Sequence, residues 1–205
     1  MATNKSLTLN RDLLDWLYEA VKENTDHHET LFSFFAHPIR NITPAFSMDL
    51  RDLFELLISD QYKQQTDELR FIQDKNIARK YKAENFDYVT FSGTFKKRSN
   101  SDLILHSGLL TLDIDHISDT RVVRQQLLED PYFETELLFT SPSGDGLKWI
   151  VRIDIENASH ENYFKAIRNY LNHTYQIEVD KSGKDVARAC FIPHDPEAFI
   201  NPKHK

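Results

Sequence analysis

The chain has 205 residues, of which 40% are hydrophobic and 12% aromatic, and that much apolar material fills a core and excludes intrinsic disorder. Its formal net charge of -7 argues against binding nucleic acid through overall charge, while leaving room for a local basic groove. The single cysteine, Cys190, excludes an internal disulfide and a cysteine-built zinc centre.

Asn10 or Asp12 can cap a first helix to about residue 24, with Leu13, Leu14, Leu17, Ala20 and Val21 at helical spacing. Leu31 to Ala36 is a short aromatic run that predicts a strand, ended by His37-Pro38. Ser47 is placed to cap a helix carrying Leu50, Leu53, Phe54, Leu57 and Ile58. A polar helix is expected from about Gln61 to Lys82, and its sparse apolar stripe of Leu69, Ile72 and Ile77 predicts packing at the domain edge. From about Phe86 the pattern changes. Phe86 to Ser92 predicts a strand, Gly93 to Ser101 a loop holding Lys96, Lys97 and Arg98, and Leu109 to Asp115 a strand. Ser118 can cap a helix to about Glu129, which Pro131 forbids from continuing.

Glu136 to Thr140 predicts a further strand, followed by the turn Ser141-Pro142-Ser143-Gly144-Asp145-Gly146. From Leu147 to Ile155 the residues alternate: Leu147, Trp149, Val151, Ile153 and Ile155 share one face, and Lys148, Ile150, Arg152 and Asp154 the other. Ser159 can cap a helix to about Tyr175; Ile177 to Asp180 predicts a short strand and Val186 to Pro193 an extended piece. The expectation is an α+β fold with a mixed sheet flanked by helices. It has a mainly helical portion over residues 1–84 packed on a core over 85–205, the whole forming one compact unit or two. No window reaches the ~20 apolar residues of a membrane span, and residues 1–7 lack the apolar run of a secretory leader, which predicts a cytoplasmic protein.

Three segments carry chemistry. In Leu110-Thr111-Leu112-Asp113-Ile114-Asp115 the strand period puts the two carboxylates side by side, where they repel unless a hard cation such as Mg2+ or Mn2+ lies between them. The alternative is a solvated strand edge with two unremarkable acids. In the turn before Leu147-Lys148, backbone N–H groups can cradle phosphate and the lysine adds charge; the alternative is an ordinary hairpin. The segment is neither a Walker A loop nor a nucleophile elbow. If the Lys148 and Arg152 face meets the Asp113 and Asp115 face, cations and metal converge on one pocket able to take a triphosphate. In the third segment Asp180 can give a third carboxylate and Arg188 can hold phosphate bidentately, or the stretch is a charged surface loop. His106, and His194 with Asp195, are candidates to line the pocket, whereas His27 and His28 read as solvated.

These motifs carry a resemblance. Phe91-Ser92-Gly93-Thr94-Phe95, Arg98, His106-Ser107-Gly108-Leu109 and Leu112-Asp113-Ile114-Asp115 resemble the VirE N-terminal-type domain of bacterial mobile-element and phage proteins. The Ser141 to Lys148 turn and Asp180…Ala187-Arg188…Phe191-Ile192-Pro193 continue it, over about residues 30 to 200. That domain is similar to the archaeo-eukaryotic primase–polymerase superfamily. The resemblance implies a primase–polymerase-like core and a nucleotidyltransferase in the replication or mobilisation of a mobile element. It implies Asp113, Asp115 and Asp180 as metal ligands and catalytic acids. It places nucleotide contacts at Ser143, Gly144, Gly146, Lys148, Arg152, Arg188 and His106. The implied partners are nucleoside triphosphates, a single-stranded DNA template and a helicase-like domain, which these 205 residues do not contain. Lys148 stands where the superfamily usually has histidine, which favours retained nucleotide binding over retained polymerisation. The alternatives are a catalytically inactive nucleotide- or nucleic-acid-binding module and a metal-dependent nuclease or phosphoesterase.

Overall fold

A computed structural model describes residues 30–205; the helix expected before residue 25 and the histidines at 27 and 28 lie outside them. The chain runs β1 (Phe32–Phe35), β2 (Phe46–Met48), α1 (Leu50–Ile58), α2 (Lys63–Phe71), α3 (Lys75–Asn85), β3 (Tyr88–Thr90), β4 (Gly93–Phe95) and β5 (Leu103–His106). It continues through β6 (Leu109–Ile114), α4 (Thr120–Leu128), β7 (Thr135–Thr140), β8 (Leu147–Arg152), α5 (His160–Tyr175), β9 (Cys190–Phe191) and β10 (Phe199–Ile200). This is an α+β fold. One sheet has the order β2-β1-β3-β9, a second β10-β7-β8-β6, and β4 and β5 form a ribbon. The first sheet joins residues on both sides of position 84, because β1 pairs β3.

Every strand pairing recorded among the described residues is antiparallel, so the expected mixed sheet is corrected. The cause is the hairpin between β7 and β8. The helical crossover through α4 would leave β6 and β7 as parallel neighbours, but β8 folds back between them and pairs both.

Both faces of this second sheet are buried. Leu109, Leu137 and Ile150 meet Phe32, Leu53, Leu57 and Phe91 in one core. Leu110, Leu112, Trp149 and Val151 meet Phe164, Ile167 and Leu171 of α5 in the other. Each of those α5 side chains contributes roughly 1.5–3 kcal/mol by burial. Ser159 caps α5 as expected, its side chain accepting from the Asn162 N–H, and Gln176 ends the helix in the left-handed conformation.

Several expectations are corrected. Ser47 does not cap a helix, because it pairs with Ser33 in the first sheet. Asp49 does, in a reciprocal box with Asp52. The polar helix over 61–82 is two helices: Ile72 is extended, and Asp74 restarts the chain by accepting from the Asn76 and Ile77 N–H groups. Asp119 rather than Ser118 caps α4. The loop over 93–101 begins with β4, and its partner β5 had no alternating signal because Ile104 and Leu105 are exposed. β3 stops at Thr90 and β8 at Arg152, shorter than expected. Residues 177–180 form no strand; one bond, from the Asp180 N–H to the Asp113 carbonyl at 2.9 Å, ties that segment to β6. Among the described residues no helix is long and apolar enough to cross a membrane.

Candidate metal and polyanion cleft

Asp113 lies on the face of β6 that Leu109 shares, and Lys148 on the matching face of β8 with Ile150. In register, Asp113 is opposite Lys148. This face is apolar under the first core and turns polar where the core ends. There it opens into a cleft of about 980 Å³. Asp115 follows the end of β6. Asp180 comes in from the opposite side, caps the turn Lys181–Lys184, and accepts from the Ser182 N–H at 3.0 Å and its hydroxyl at 2.7 Å. One carboxylate oxygen from each of Asp113, Asp115 and Asp180 lies within 4.8 Å of the others.

Two cations stand among these acids. The Lys148 ammonium donates to Asp113 Oδ1 and lies 3.9 Å from Asp115 Oδ1. Arg188 Nη2 is 3.1 Å from Asp180 Oδ2 and 3.6 Å from Asp113 Oδ2. Burial pushes Lys148 down to about 8, with Lys82 and Arg188 acting in the same direction and Asp180 against it. Burial, then Asp145 and Asp180, raise Asp115, opposed by Lys82. Burial works to raise Asp180 as well, but hydrogen bonds from Ser182 and the nearby Arg188 and Lys148 hold it below the usual carboxylate range.

The turn from Ser141 to Gly146 forms the adjoining edge. It closes by a bond from the Ser141 N–H to the Gly146 carbonyl at 2.8 Å, with Gly144 at φ +84°. Gly146 lies so close to β6 that a Cβ there would stand 2.5 Å from the Ile114 carbonyl oxygen. Ser143 lines the cleft. Ser141 does too, and its hydroxyl is buried with no hydrogen-bond partner among the described residues.

The opposite wall is basic, and of its residues the sequence reading named only Arg98, in the Lys96-Lys97-Arg98 cluster read as a solvated loop or part of a nucleic-acid groove. Arg70 of α2 reaches over the turn, its Nε donating to the Pro142 carbonyl at 3.3 Å. Lys75, Arg79 and Lys82 of α3 follow along the same side of the cleft, and Arg98 stands over Tyr88. Among the described residues none of these five has a carboxylate partner within salt-bridge distance. A signal was available, since positions 75, 79 and 82 recur at helical spacing.

Of the expected site residues, the cleft brings together Asp113, Asp115, Ser143, Lys148 and Arg188 at its surface, with Asp180 at the acidic group and Gly144 and Gly146 shaping the turn. Four do not belong to it. Arg152 shares the Lys148 face, but four residues of strand carry it ~13 Å along β8. There it bonds Glu136 at 3.3 Å. His106 faces away: its Nδ1 accepts from the Gly108 N–H at 2.9 Å, which leaves Nε2 to donate to His160 Nδ1 at 3.1 Å. His160 Nε2 then donates to the Gly183 carbonyl at 3.4 Å. His106 is thus an indirect support of the turn behind Asp180. His194 and Asp195 also leave the pocket, bonding the Ser59 carbonyl and the Thr140 N–H.

The oxygen-only donor set suits a hard divalent cation. The facing arginines and lysines suit phosphate. A family model described as BT4734-like, N-terminal domain matches residues 80–199, more than half of the chain. The acidic trio, Lys148 and Arg188 fall inside that span, while Arg70, Lys75 and Arg79 precede it. No curated protein matches, and no solved structure does.

Proposed function

The chain belongs to the BT4734-like, N-terminal domain family, and from its cleft we propose that it is a metal-dependent nucleotidyltransferase of the primase–polymerase kind, acting on a nucleoside triphosphate in the replication or mobilisation of a mobile element. One observation carries this reading: three carboxylates, each with one oxygen within 4.8 Å of the others, gather at the edge of a single cleft, two of them lining it opposite a row of cations. Asp113, Asp115 and Asp180 would hold Mg2+ or Mn2+, which supplies Lewis-acid polarisation of a phosphoryl oxygen and favours the deprotonated attacking hydroxyl. Arg188 and Lys82 neutralise the triphosphate, the Ser141 to Gly146 turn closes over it, and Lys75 and Arg79 continue the basic wall for a single-stranded DNA template. The buried Lys148 serves the aspartates before it serves phosphate. The compartment is the cytoplasm, and a helicase-like partner acts on the same strand.

The test is calorimetric binding of a nucleoside triphosphate with and without Mn2+, in the wild type and in Asp115→Asn, followed by extension of a primed template. Manganese-dependent binding lost in the variant, with metal-dependent product from the wild type, supports the proposal. Binding that ignores both the metal and the substitution overturns it. A second reading, a binding module without synthesis, is favoured by one observation: Lys148 already neutralises Asp113. Metal-dependent binding without product would decide for it.

A further inference from the structure

We propose that the Lys148 ammonium is a built-in cation of the acidic site, occupying the place a second divalent ion would need, so that the aspartate trio holds one Mg2+ or Mn2+ and not two. This deepens the proposed function and rests on its metal site.

The register of β6 and β8 fixes the pairing, because Lys148 is the cross-strand neighbour of Asp113. The lysine is 8% exposed, so its stem has little freedom to leave. A two-ion centre sets its ions about 3.5–4 Å apart. A carboxylate bridging such a pair gives one oxygen to each ion. Asp113 is the acid placed to bridge, lying against Asp180 through the backbone bond and against Asp115 through the shared lysine. Its Oδ1 is already taken by the Lys148 ammonium, which reaches Asp115 Oδ1 at 3.9 Å as well. Only Oδ2 remains, on the side of Asp180 and Arg188, the latter 3.6 Å away. One ion can share Asp113 Oδ2, Asp115 and Asp180; a second would have to expel the ammonium.

Charge points the same way. Three carboxylates against Lys148 and Arg188 leave one net negative charge, which a single divalent ion reverses and a second would drive strongly positive in a half-buried place. The cleft also offers a ligand contact that the protein does not use. Ser141, 3% exposed, lines it with a hydroxyl that has no partner among the described residues. A bound ion's water or a phosphate oxygen would satisfy it.

The measurement is the number of Mn2+ ions bound per chain, counted by electron paramagnetic resonance of the free ion with the metal alone and no nucleotide present. It is made on the wild type, Lys148→Arg and Lys148→Met. One ion on the wild type and on Lys148→Arg, and two on Lys148→Met, is the expected result. Two ions on the wild type, or one on Lys148→Met with unchanged affinity, overturns the inference and leaves the proposed function standing. No ion on any of the three overturns both. Circular dichroism checks folding; should Lys148→Met fail to fold, Lys148→Gln replaces it under the same criteria, and the wild-type count alone still refutes the inference if it is two.

Discussion

The second sheet carries a charged cluster at each end of β8, and the two differ in how far their acids are satisfied. At the Arg152 end the buried Glu136, 1% exposed, meets three basic side chains: Arg152 at 3.3 Å, Lys203 at 2.8 Å, which also holds the exposed Glu134 at 2.6 Å, and His204 at 2.5 Å. Glu136 sits where the β7–β8 register shifts, so a bulge turns it toward these partners. Burial works to raise its pKa, but the bonds from Lys203 and His204 and the nearby Arg152 win and hold it low. At the Lys148 end three acids share two cations and open into a cleft. A closed cluster with its acid saturated braces the fold. An open cluster with acids in excess has binding capacity left.

The sharpest way to break this comparison is one neutral isostere at each end. Glu136→Gln should cost about 1–3 kcal/mol in urea unfolding, since it turns an acceptor oxygen of a buried side chain into an amide N–H set against its donors, and should leave nucleotide binding within about twofold. Asp115→Asn should do the reverse: stability within about 0.5 kcal/mol, with manganese-dependent nucleotide binding weakened more than about tenfold. If both substitutions act on stability alone, the open cluster is as structural as the closed one.

A smaller effect tests the basic wall. Lys75→Ala and Arg79→Ala should each weaken binding of single-stranded DNA several-fold and lower the slope of log affinity against log salt by about 1, because each removes one phosphate contact. Lys165→Ala should change neither, since Lys165 is paired with Glu161 on α5, away from the cleft. An equal loss from Lys165→Ala would mean that general charge, and not this wall, governs binding.

What was legible in the sequence was local. The alternation from Leu147 onward placed β8 and its two faces, and Ser159 marked the start of α5. The acidic pair at 113 and 115 was visible from strand period alone, whereas Asp180 was expected at the end of a strand over 177–180 that does not form; a backbone bond to β6 brings it to the pair. What failed was register and path. Lys148 and Arg152 do share a face, but which residues oppose them depends on how β8 slots between β6 and β7, and that pairing puts Asp113 opposite one and Leu109 opposite the other. The basic wall was hidden for a related reason. Treated as one long helix, residues 61–82 carry cations on several sides; the break at Ile72 to Asp74 separates α3 and brings Lys75, Arg79 and Lys82 to the cleft.

The smallest expected effect lies behind the open cluster, at the histidine pair that supports the Asp180 turn. Burial, then the charge His160 would carry, pushes His106 down to about 4, and burial lowers His160 too. The geometry explains why both stay neutral: His106 Nε2 donates to His160 Nδ1, and a proton added there would set two N–H groups against each other. The sign follows from linkage. The unfolded chain protonates His106 near pH 6.5 and the folded chain only near 4, with His160 displaced in the same direction, so stability falls as pH drops through that window. Allowing for solvent screening of the half-exposed His106, the loss is about 1 kcal/mol. Glu136 acts lower, because a carboxylate held below its ordinary pKa of 4.5 gives stability that is lost only as pH falls beneath that value. Urea unfolding from pH 7 to 3.5 should therefore show two descents, the upper one reduced by Asp52, which burial raises to about 6, and by His37, which its bond to Asp87 raises. His106→Gln should flatten the upper one and Glu136→Gln the lower. A curve whose upper descent survives His106→Gln would separate the histidine pair from the acid response and leave the Asp180 turn held by Ser182, Arg188 and the backbone bond to Asp113.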